Sequence, residues 1–307
     1  MTLTLTHSPE DGTLIEGTTK GDGTSDVLRA HGWRWSRNLG AWYVPRSRDT
    51  RPNRALIDST LTQLQDAGHD VEVQIDERIR AATDVETSQL DRMKARADAL
   101  ISKAEKAHAR AAAAAQRSDR ADQAVPPGGQ PILVGHHSEA GHRRAIGRAR
   151  NALSASVAAD AAAAEADRRA DTAAAAKAHR YNPVTVANRI ARLSAELRRL
   201  QRDIARHQDD ARPARMQLEE QAAVLEQEVE MWSQVRAEQI AAGETRDYGR
   251  HNVTAGDRVQ IRGHWYRVVR ANAKTVTVPS SLGDWTDTAP WAHVTEHRPA
   301  ITEEKRA

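Results

Sequence analysis

The sequence contains no cysteine and no phenylalanine, and aromatic residues make up only 4% of its 307 residues. Without cysteine, neither a disulfide framework nor a thiolate metal site is possible. Hydrophobic residues amount to 39% of the chain, which is too little for one large core. This composition favours small domains joined by long solvated helices, because a helical hairpin buries only a narrow apolar stripe.

Long hydrophobic runs are also missing. No apolar run approaches the roughly 18 residues that a membrane-spanning helix needs, and the N-terminus lacks the basic-then-apolar pattern of a signal peptide. We therefore expect a soluble, cytoplasmic protein that contacts no membrane. The chain has no P-loop, dinucleotide fingerprint, nucleophile elbow or HExxH motif, so it shows none of these common catalytic signatures.

The charges are nearly balanced in number but unevenly distributed. The chain has 45 basic and 42 acidic residues. Residues 29–54 nevertheless contain seven arginines and a single acid, Asp49, whereas residues 209–244 contain nine acids and three arginines. Basic stretches of this kind can bind polyanions, although arginine-rich helices also pair with glutamates of the same bundle.

Residues 1–80 are predicted to form a small α+β domain in the order β-α-β-β-α-β. The first helix is expected over GTSDVLRAHG, with Thr24 or Ser25 as N-cap and Gly32 beyond its end. The segment WRWSRNLGAWYVP reads as an aromatic hairpin, whose turn holds Asn38 and Gly40, residues that can take positive φ.

Residues 81–243 are predicted to form long helices. Prolines and glycines at 126–129 interrupt the first helix, the second starts near Ser138, and Pro183 suits the first turn of a third. Pro213 is expected to end or kink that third helix. A 3-4-3-4 apolar spacing typical of a coiled-coil seam is formed by Ile190, Leu193, Leu197, Leu200 and Ile204. Short breaks between long helices predict antiparallel neighbours.

Residues 244–307 alternate apolar and polar side chains, which predicts a small SH3-like β-barrel followed by a tail. The predicted fold class is therefore mostly α with small α+β and β parts. A long antiparallel helical coiled coil is flanked by the N-terminal α+β domain and the C-terminal barrel.

Four blocks of the sequence together resemble the domain-of-unknown-function family 3560. They are GWRWSRNLGAWYVPRSRD, QPILVGHHSE with the following HR, YNPVTVANRIARLSAELRRL, and GDRVQIRGHWYRVVRANAKTVTV with the later WTDT and PW. The resemblance implies this architecture and a setting in actinobacteria, their plasmids and their phages, but no activity. The hairpin segment separately resembles small domains found beside helicases and plasmid DNA-processing proteins, which points toward DNA.

The stretch QPILVGHHSEAGHRR allows three interpretations. In the first, His136 or His137 joins Glu139 and His142 in a divalent metal site, since Glu-x-x-His places both side chains on one helix face. In the second, the helix N-terminus binds a phosphate with help from the histidines and from Arg143. In the third, the stretch is only a turn, in which Ile132, Leu133 and Val134 fill a small core.

Two aromatic clusters could bind nucleic acid. In the hairpin, stacking by Trp42 or Tyr43 would accompany phosphate contacts from Arg34, Arg37, Arg46 and Arg48. Near the C-terminus, Trp265, Tyr266, Trp285 and Trp291 are interleaved with Arg262, Arg267 and Arg270. In the alternative interpretation of both clusters, the tryptophans are the cores of their small domains, with Trp33 and Trp35 on one side of the hairpin.

The leading hypothesis is a non-enzymatic, DNA-associated accessory protein of a mobile element or phage, which binds single-stranded or junction DNA and needs no cofactor. One alternative is a metal-dependent hydrolase or nuclease built on His136, His137, Glu139 and His142. The other is a protein-interaction scaffold whose coiled coil binds a second copy or a partner helix.

Overall fold

The computed structural model describes residues 2–126, 130–206 and 212–300. It is mostly helical with small sheets, and it divides into two compact units. The first unit comprises residues 1–86 and 196–231, and the second comprises residues 87–195 and 232–307. Within the described ranges, no helix has both the length and the apolar character to cross a membrane.

The first unit is built on a five-stranded sheet. Its strands are β1 (Thr2–Ser8), β2 (Gly12–Glu16), β3 (Arg34–Ser36), β4 (Ala41–Tyr43) and β5 (Asp70–Ile75), in the spatial order β3-β4-β2-β1-β5. Only the β1–β5 pair is parallel. Two helices, α1 (Thr24–Ala30) and α2 (Arg54–Asp66), contribute buried side chains to the core that covers one face of the sheet.

Tryptophans belong to this core, as one interpretation of the hairpin predicted. Trp33 and Trp42 are buried among Leu3, Leu5 and other aliphatic side chains. The indole N–H of Trp33 donates to the hydroxyl of Thr60 at 3.1 Å, which satisfies its polar atom inside the core. Trp35 differs: it pairs with Trp42 across the strands but stays 44% exposed. Trp33 and Trp35, which were predicted on one side of the hairpin, therefore differ in exposure.

Strand β1 was not predicted from the sequence. Its residues, TLTLTHS, alternate at period two, which is the pattern of a half-buried strand. The predicted N-cap of α1 was also wrong. Gly23 occupies that position, while the Asp22 carboxylate accepts hydrogen bonds from the backbone N–H and hydroxyl of Thr24. In the hairpin turn, the positive φ belongs to Gly40, at 65°, and not to Asn38.

Four long helices follow. They are α3 (Ala82–Gln123), α4 (Glu139–Arg180), α5 (Pro183–Arg206) and α6 (Arg212–Ala241). The predicted helix starts near Ser138 and at Pro183 are confirmed. Pro213 lies in the first turn of α6, where its missing N–H breaks no helical hydrogen bond. Residues 207–211, between α5 and α6, lie outside the described residues, so the prediction that Pro213 ends or kinks α5 stays a prediction.

Helices α3 and α4 pack antiparallel through alanines in the second unit. Ala104 of α3 meets Ala166 and Ala170 of α4 in a small apolar cluster. Toward the end of α3, the His108 ring contacts Asp167 at 2.8 Å, whereas near its start Gln89 contacts Arg180. Residues later in α3 contact residues earlier in α4, so the two helices run in opposite directions.

We expect the alanine seam to tolerate no larger side chain. Replacing the buried Ala166 by leucine should lower the free energy of unfolding by about 1–3 kcal/mol, because the added methyl groups must push two closely packed backbones apart. Denaturation followed by helical circular dichroism measures this. Leucine at the exposed Ala164 is the matched control, with an expected effect within about 0.5 kcal/mol. Equal losses of stability in the two variants would contradict close packing of α3 and α4 at these alanines.

The seam predicted on α5 lies on a partly buried face. Leu193 is buried, while Ile190, Leu197, Leu200 and Ile204 are half-buried. Their burial agrees with a core role. Whether the helices form a supercoiled coiled coil stays a prediction.

The C-terminal part of the second unit contains two three-stranded sheets. The strands are β6 (Arg258–Ile261), β7 (His264–Arg267), β8 (Arg270–Ala271), β9 (Thr275–Pro279), β10 (Thr286–Pro290) and β11 (Val294–Arg298), ordered β10-β9-β8 and β11-β6-β7. Positive φ at both Arg262 and Gly263 makes the β6–β7 connection a type I′ hairpin turn. No closed barrel is found among the described residues, so the barrel stays a prediction.

Valine, not tryptophan, fills this core. The buried set includes Val253, Val259, Val268 and Val276, and Trp291 only packs against its side. Trp285 is 57% exposed. The interpretation in which tryptophans fill the small domain is therefore wrong for Trp285.

Candidate functional site

Three arginines lie side by side on one face of the β11-β6-β7 sheet. Arg298 of β11 is directly opposite Arg258 of β6, which is directly opposite Arg267 of β7. Paired residues on neighbouring strands point to the same face, and neighbouring strands are about 4.8 Å apart. All three side chains are exposed. We call this set the arginine row.

Alternation along the strands explains why the row faces solvent. On β6 the neighbouring residues Val259 and Ile261 are buried in the valine core, so Arg258 and Gln260 must point outward. On β11, a register shift between Val294 and Glu296 leaves Val294 facing the core while Glu296 and Arg298 face solvent. The register of the ladder then brings the outward residues of three strands together.

A tryptophan adjoins the arginine row. Trp265 is paired with Gln260 and lies two residues before Arg267 on β7, so it shares the solvent face. The Arg298 guanidinium carbon lies 4.3 Å from the centre of the Trp265 ring, a cation–π contact that holds the guanidinium flat. The N–H groups at the edge of a stacked guanidinium remain free to donate.

Within the described residues, none of the three arginines forms an ion pair with an acid. Glu296 shares their face, one row away, opposite Gln260. Side-by-side like charges destabilise a sheet, so the row is a site where an anionic ligand would relieve repulsion.

Asp257 stabilises one end of this sheet through hydrogen bonds. Its buried carboxylate accepts hydrogen bonds from the backbone N–H groups of Thr254 and Ala300, both at 2.8 Å, and lies 2.9 Å from Nε2 of His297. Burial alone would raise the pKa of Asp257, but these hydrogen bonds outweigh it and lower the pKa to about 2. The Asp257 carboxylate thus connects the loop before β6 with β11 and the residue after it, on the sheet that carries the arginine row.

The predicted hairpin residues are divided between two faces of the first unit. Arg34 and Tyr43 are directly opposite each other and point away from α1 and α2. Trp42 points toward the helices and is only 5% exposed, so the prediction that Trp42 stacks on bases is wrong. Trp35, beside it, is the exposed aromatic of the hairpin.

The hairpin arginines also differ in their partners. The Arg48 Nε–H donates to the backbone oxygen of Asp11, and the nearby Arg51 forms an ion pair with Glu220. Arg34, Arg37 and Arg46 are exposed and have no hydrogen-bond or ion-pair partner in the part of the chain that is described. We call these three arginines and the exposed Trp35 the hairpin surface, in which Arg34 and Trp35 lie on opposite faces of the strands.

The histidine-rich stretch is a turn before α4, as the third interpretation predicted, and His136 contacts its neighbour Ser138. It forms no strand, and Leu133 and Val134 are exposed, so the small core predicted there does not exist. Ser138 occupies the N-cap position of α4, but its hydroxyl bonds the Nδ1 of His136 and not the helix. Glu139 instead accepts the N–H of Gly135, at 2.7 Å.

Glu139 is already engaged at the helix start. The Gly135 N–H and then the Arg143 guanidinium, at 2.9 Å, lower the pKa of this carboxyl, so it is ionised at neutral pH. An anion at this helix end would compete with that carboxylate. His136 and His137 stack on each other with ring centres 4.0 Å apart. Nowhere in the described ranges do three or more His, Asp or Glu side chains form a group that could hold a metal. The geometry therefore favours neither a phosphate site nor a metal site here.

Comparison with known families bears on the helical part of the chain. Residues 88–209 match the model of the domain of unknown function DUF3560. The match includes most of α3, all of α4 and all of α5, and two of the four blocks that carry the resemblance. The hairpin surface and the arginine row lie outside it. Neither the curated proteins nor the solved structures contain a match to the chain.

Only one member of the arginine row, Arg267, was predicted from the sequence as part of a binding surface. Arg258 and Arg298 are 40 residues apart in the chain, and only the pairing of β6 with both β7 and β11 brings them together. Of the other arginines predicted there, Arg262 lies in the β6–β7 turn and Arg270 lies in the other sheet. The alternation of the strands was a usable signal, but their pairing was not readable from the sequence.

Proposed function

We propose that the protein is a non-enzymatic nucleic-acid-binding protein and that the arginine row contacts the phosphates of single-stranded DNA. The observation that carries the proposal is the juxtaposition of Arg258, Arg267 and Arg298 on three adjacent strands, where none of them has an acidic ion-pair partner among the described residues. Three repelling guanidinium groups on one face favour a ligand with several negative charges in sequence, which a phosphate backbone supplies.

The neighbouring aromatic residue favours nucleic acid over an acidic protein. Arginine binds phosphate as a planar fork, and Trp265 fixes the plane of the Arg298 guanidinium. Indole and guanidinium surfaces also stack on unpaired bases, which are accessible in single strands and junctions. Binding by an acidic peptide is an outcome that the experiment below can reveal.

The hairpin surface supports the same function independently. Among the described residues the side chains of Arg34, Arg37 and Arg46 have no partner, and Trp35 is exposed, so the hairpin offers phosphate and base contacts on its two faces. Together with the resemblance to plasmid and phage proteins, this leads us to propose an accessory role for a mobile element. A closed barrel at the C-terminus, a coiled coil and a second copy or partner helix bound to it are further parts of this proposal.

A salt series tests the proposal directly. Fluorescence titration of the protein with single-stranded and duplex DNA should show an affinity that falls linearly with the logarithm of the salt concentration. Each phosphate contact contributes a slope of about 0.7 for single strands and about 0.9 for duplex. We expect a slope of at least about 2 with single-stranded DNA, which corresponds to three contacts.

The same titration can refute the proposal. Absence of binding at low salt, or binding whose strength does not depend on salt, would contradict a phosphate-contacting surface. Poly-glutamate of matched charge is the control polyanion. If it binds as tightly as single-stranded DNA, the row recognises negative charge alone and the assignment to nucleic acid is wrong.

A further inference from the structure

A second row of side chains lies beside the arginine row on the solvent face of the β11-β6-β7 sheet. Glu296 of β11 is paired with Gln260 of β6, which is paired with Trp265 of β7. This second row places a carboxylate, an amide and an indole across three strands, next to three guanidinium groups.

A β-bulge in β11 brings Glu296 to this face. The register of β11 against β6 shifts between Val294 and Glu296, and Thr295 is the extra residue. Without Thr295, Glu296 would be opposite Val259 and would point into the valine core, as Val294 does. Bulges often lie next to active sites, where they re-aim a side chain.

The bulge residue also holds the neighbouring amide. The Thr295 hydroxyl donates to the side-chain oxygen of Gln260 at 2.9 Å, and Nε2 of Gln260 donates to the backbone oxygen of Gly263 at 3.4 Å. The amide of Gln260 is therefore engaged within its own sheet.

The Glu296 carboxylate is not engaged in this way. Its side chain is exposed, and within residues 2–126, 130–206 and 212–300 it has no hydrogen bond or ion pair. Arg298, on the same strand and face, contacts the Trp265 ring instead. Beside a surface for phosphates, a carboxylate adds repulsion unless the same ligand also supplies hydrogen-bond donors, since a carboxylate accepts hydrogen bonds. Nucleic-acid bases carry such donors.

Guanine presents the donors that best match a carboxylate. On the edge that single strands leave unpaired, guanine has two adjacent donors, N1–H and the N2 amino group, which two carboxylate oxygens can accept side by side. Adenine and cytosine present one amino group beside an accepting ring nitrogen, and thymine presents one N–H between two carbonyl oxygens. Such acceptors repel the second oxygen of a carboxylate.

We infer that this face selects guanine in single-stranded DNA. Glu296 accepts hydrogen bonds from N1–H and the N2 amino group, while the base stacks on the layer formed by Arg298 and Trp265. Glu296 and Trp265 are two strand spacings apart, about 10 Å, which a flat base with its hydrogen bonds spans. The inference rests on the proposed function, because the arginine row must hold the phosphates.

Single-base replacements in a short thymidine strand test the inference. One central thymidine is replaced by deoxyguanosine, deoxyinosine, deoxyadenosine or deoxycytidine, and the affinity for the whole chain is measured by fluorescence titration at constant salt. A single guanine per strand avoids four-stranded association. We expect the guanine strand to bind about tenfold tighter than thymidine alone. Inosine lacks the N2 amino group, so its strand should lose most of this gain.

Two variants assign the preference to one carboxylate. Glu296→Gln keeps the shape but replaces an accepting oxygen by a donating amide, so the guanine strand should bind within about twofold of thymidine alone. Asp287→Asn on β10 also removes one exposed negative charge and should keep the full guanine preference. If Glu296 acted through its charge alone, Glu296→Gln would change the affinity for all strands alike.

The outcomes separate this inference from the proposed function. If every strand binds equally and the binding depends on salt, the proposed function stands and guanine selection is wrong. Inosine, adenine or cytosine binding as tightly as guanine overturns the inference, and so does a guanine preference that persists in Glu296→Gln. If no strand binds at low salt, the proposed function fails and this inference fails with it.

Discussion

Replacing Arg258, Arg267 and Arg298 together by alanine is expected to weaken binding of single-stranded DNA about 100-fold at 0.1 M salt. Three lost phosphate contacts remove about 2 from the salt slope, since each single-stranded contact contributes about 0.7. At 0.1 M salt, a slope change of 2 corresponds to this loss of affinity. Fluorescence titration over the salt series gives both quantities.

A second triple variant provides the matched control. Arg168 and Arg169 pair with Glu165, and Arg206 pairs with Asp203, so alanine at these positions removes the same formal charge from arginines that already contact an acid. We expect less than a threefold change in affinity. An equal loss in both triple variants would show that net charge alone matters and that the arginine row is not a contact surface.

Replacing the three arginines of the row by lysine distinguishes the effect of positive charge from that of the planar guanidinium geometry. The salt slope should be retained, because each lysine keeps its charge. Affinity should fall several-fold, because a lysine cannot present a planar fork held by Trp265. Full retention of affinity would reduce the role of the row to electrostatic attraction.

Asp257→Ala is expected to destabilise the C-terminal sheets by about 3 kcal/mol. The substitution leaves the buried N–H groups of Thr254 and Ala300 and the ring of His297 without their acceptor, and unsatisfied buried donors are costly. Chemical denaturation followed by tryptophan fluorescence measures the loss. Asp287→Ala on β10 is the control, since Asp287 is exposed, and it should change stability by less than about 0.5 kcal/mol.

The same residue makes stability depend on acid pH. The pKa of Asp257 is lowered from 3.8 to about 2 in the folded protein. A lowered folded-state pKa means that the stabilisation is complete above about pH 4 and is lost as the pH falls through about 2. The contribution is about 2 kcal/mol. The Asp257→Asn variant should lack this part of the pH dependence, and an unchanged acid profile in that variant would contradict the assignment.

Much of the local structure could be predicted from the sequence, because short-range physics decides it. The alanine-rich tracts favour helices, and Pro183 and Ser138 mark where two of them begin. The alternation around the β6–β7 hairpin, with Gly263 in its turn, predicts strands. The resemblance to DUF3560 was readable in the helical segment and is confirmed there over residues 88–209.

What could not be predicted depends on which side chains meet across long separations in the chain. The tryptophans of both small domains looked alike in sequence, yet Trp42 is buried while Trp35 and Trp285 are exposed, because strand register and neighbouring elements decide burial. The histidine stretch looked like a site, but the Glu139 side chain turns back to its own helix start.

By itself, the sequence determined the secondary structure, the order of the segments and the basic character of the chain, since propensity, periodicity and charge are local properties. Only the tertiary structure decided the arginine row and the second row beside it, formed by Glu296, Gln260 and Trp265. Both arise where strands distant in the chain come together, and the free energy of packing, not any local signal, sets that arrangement.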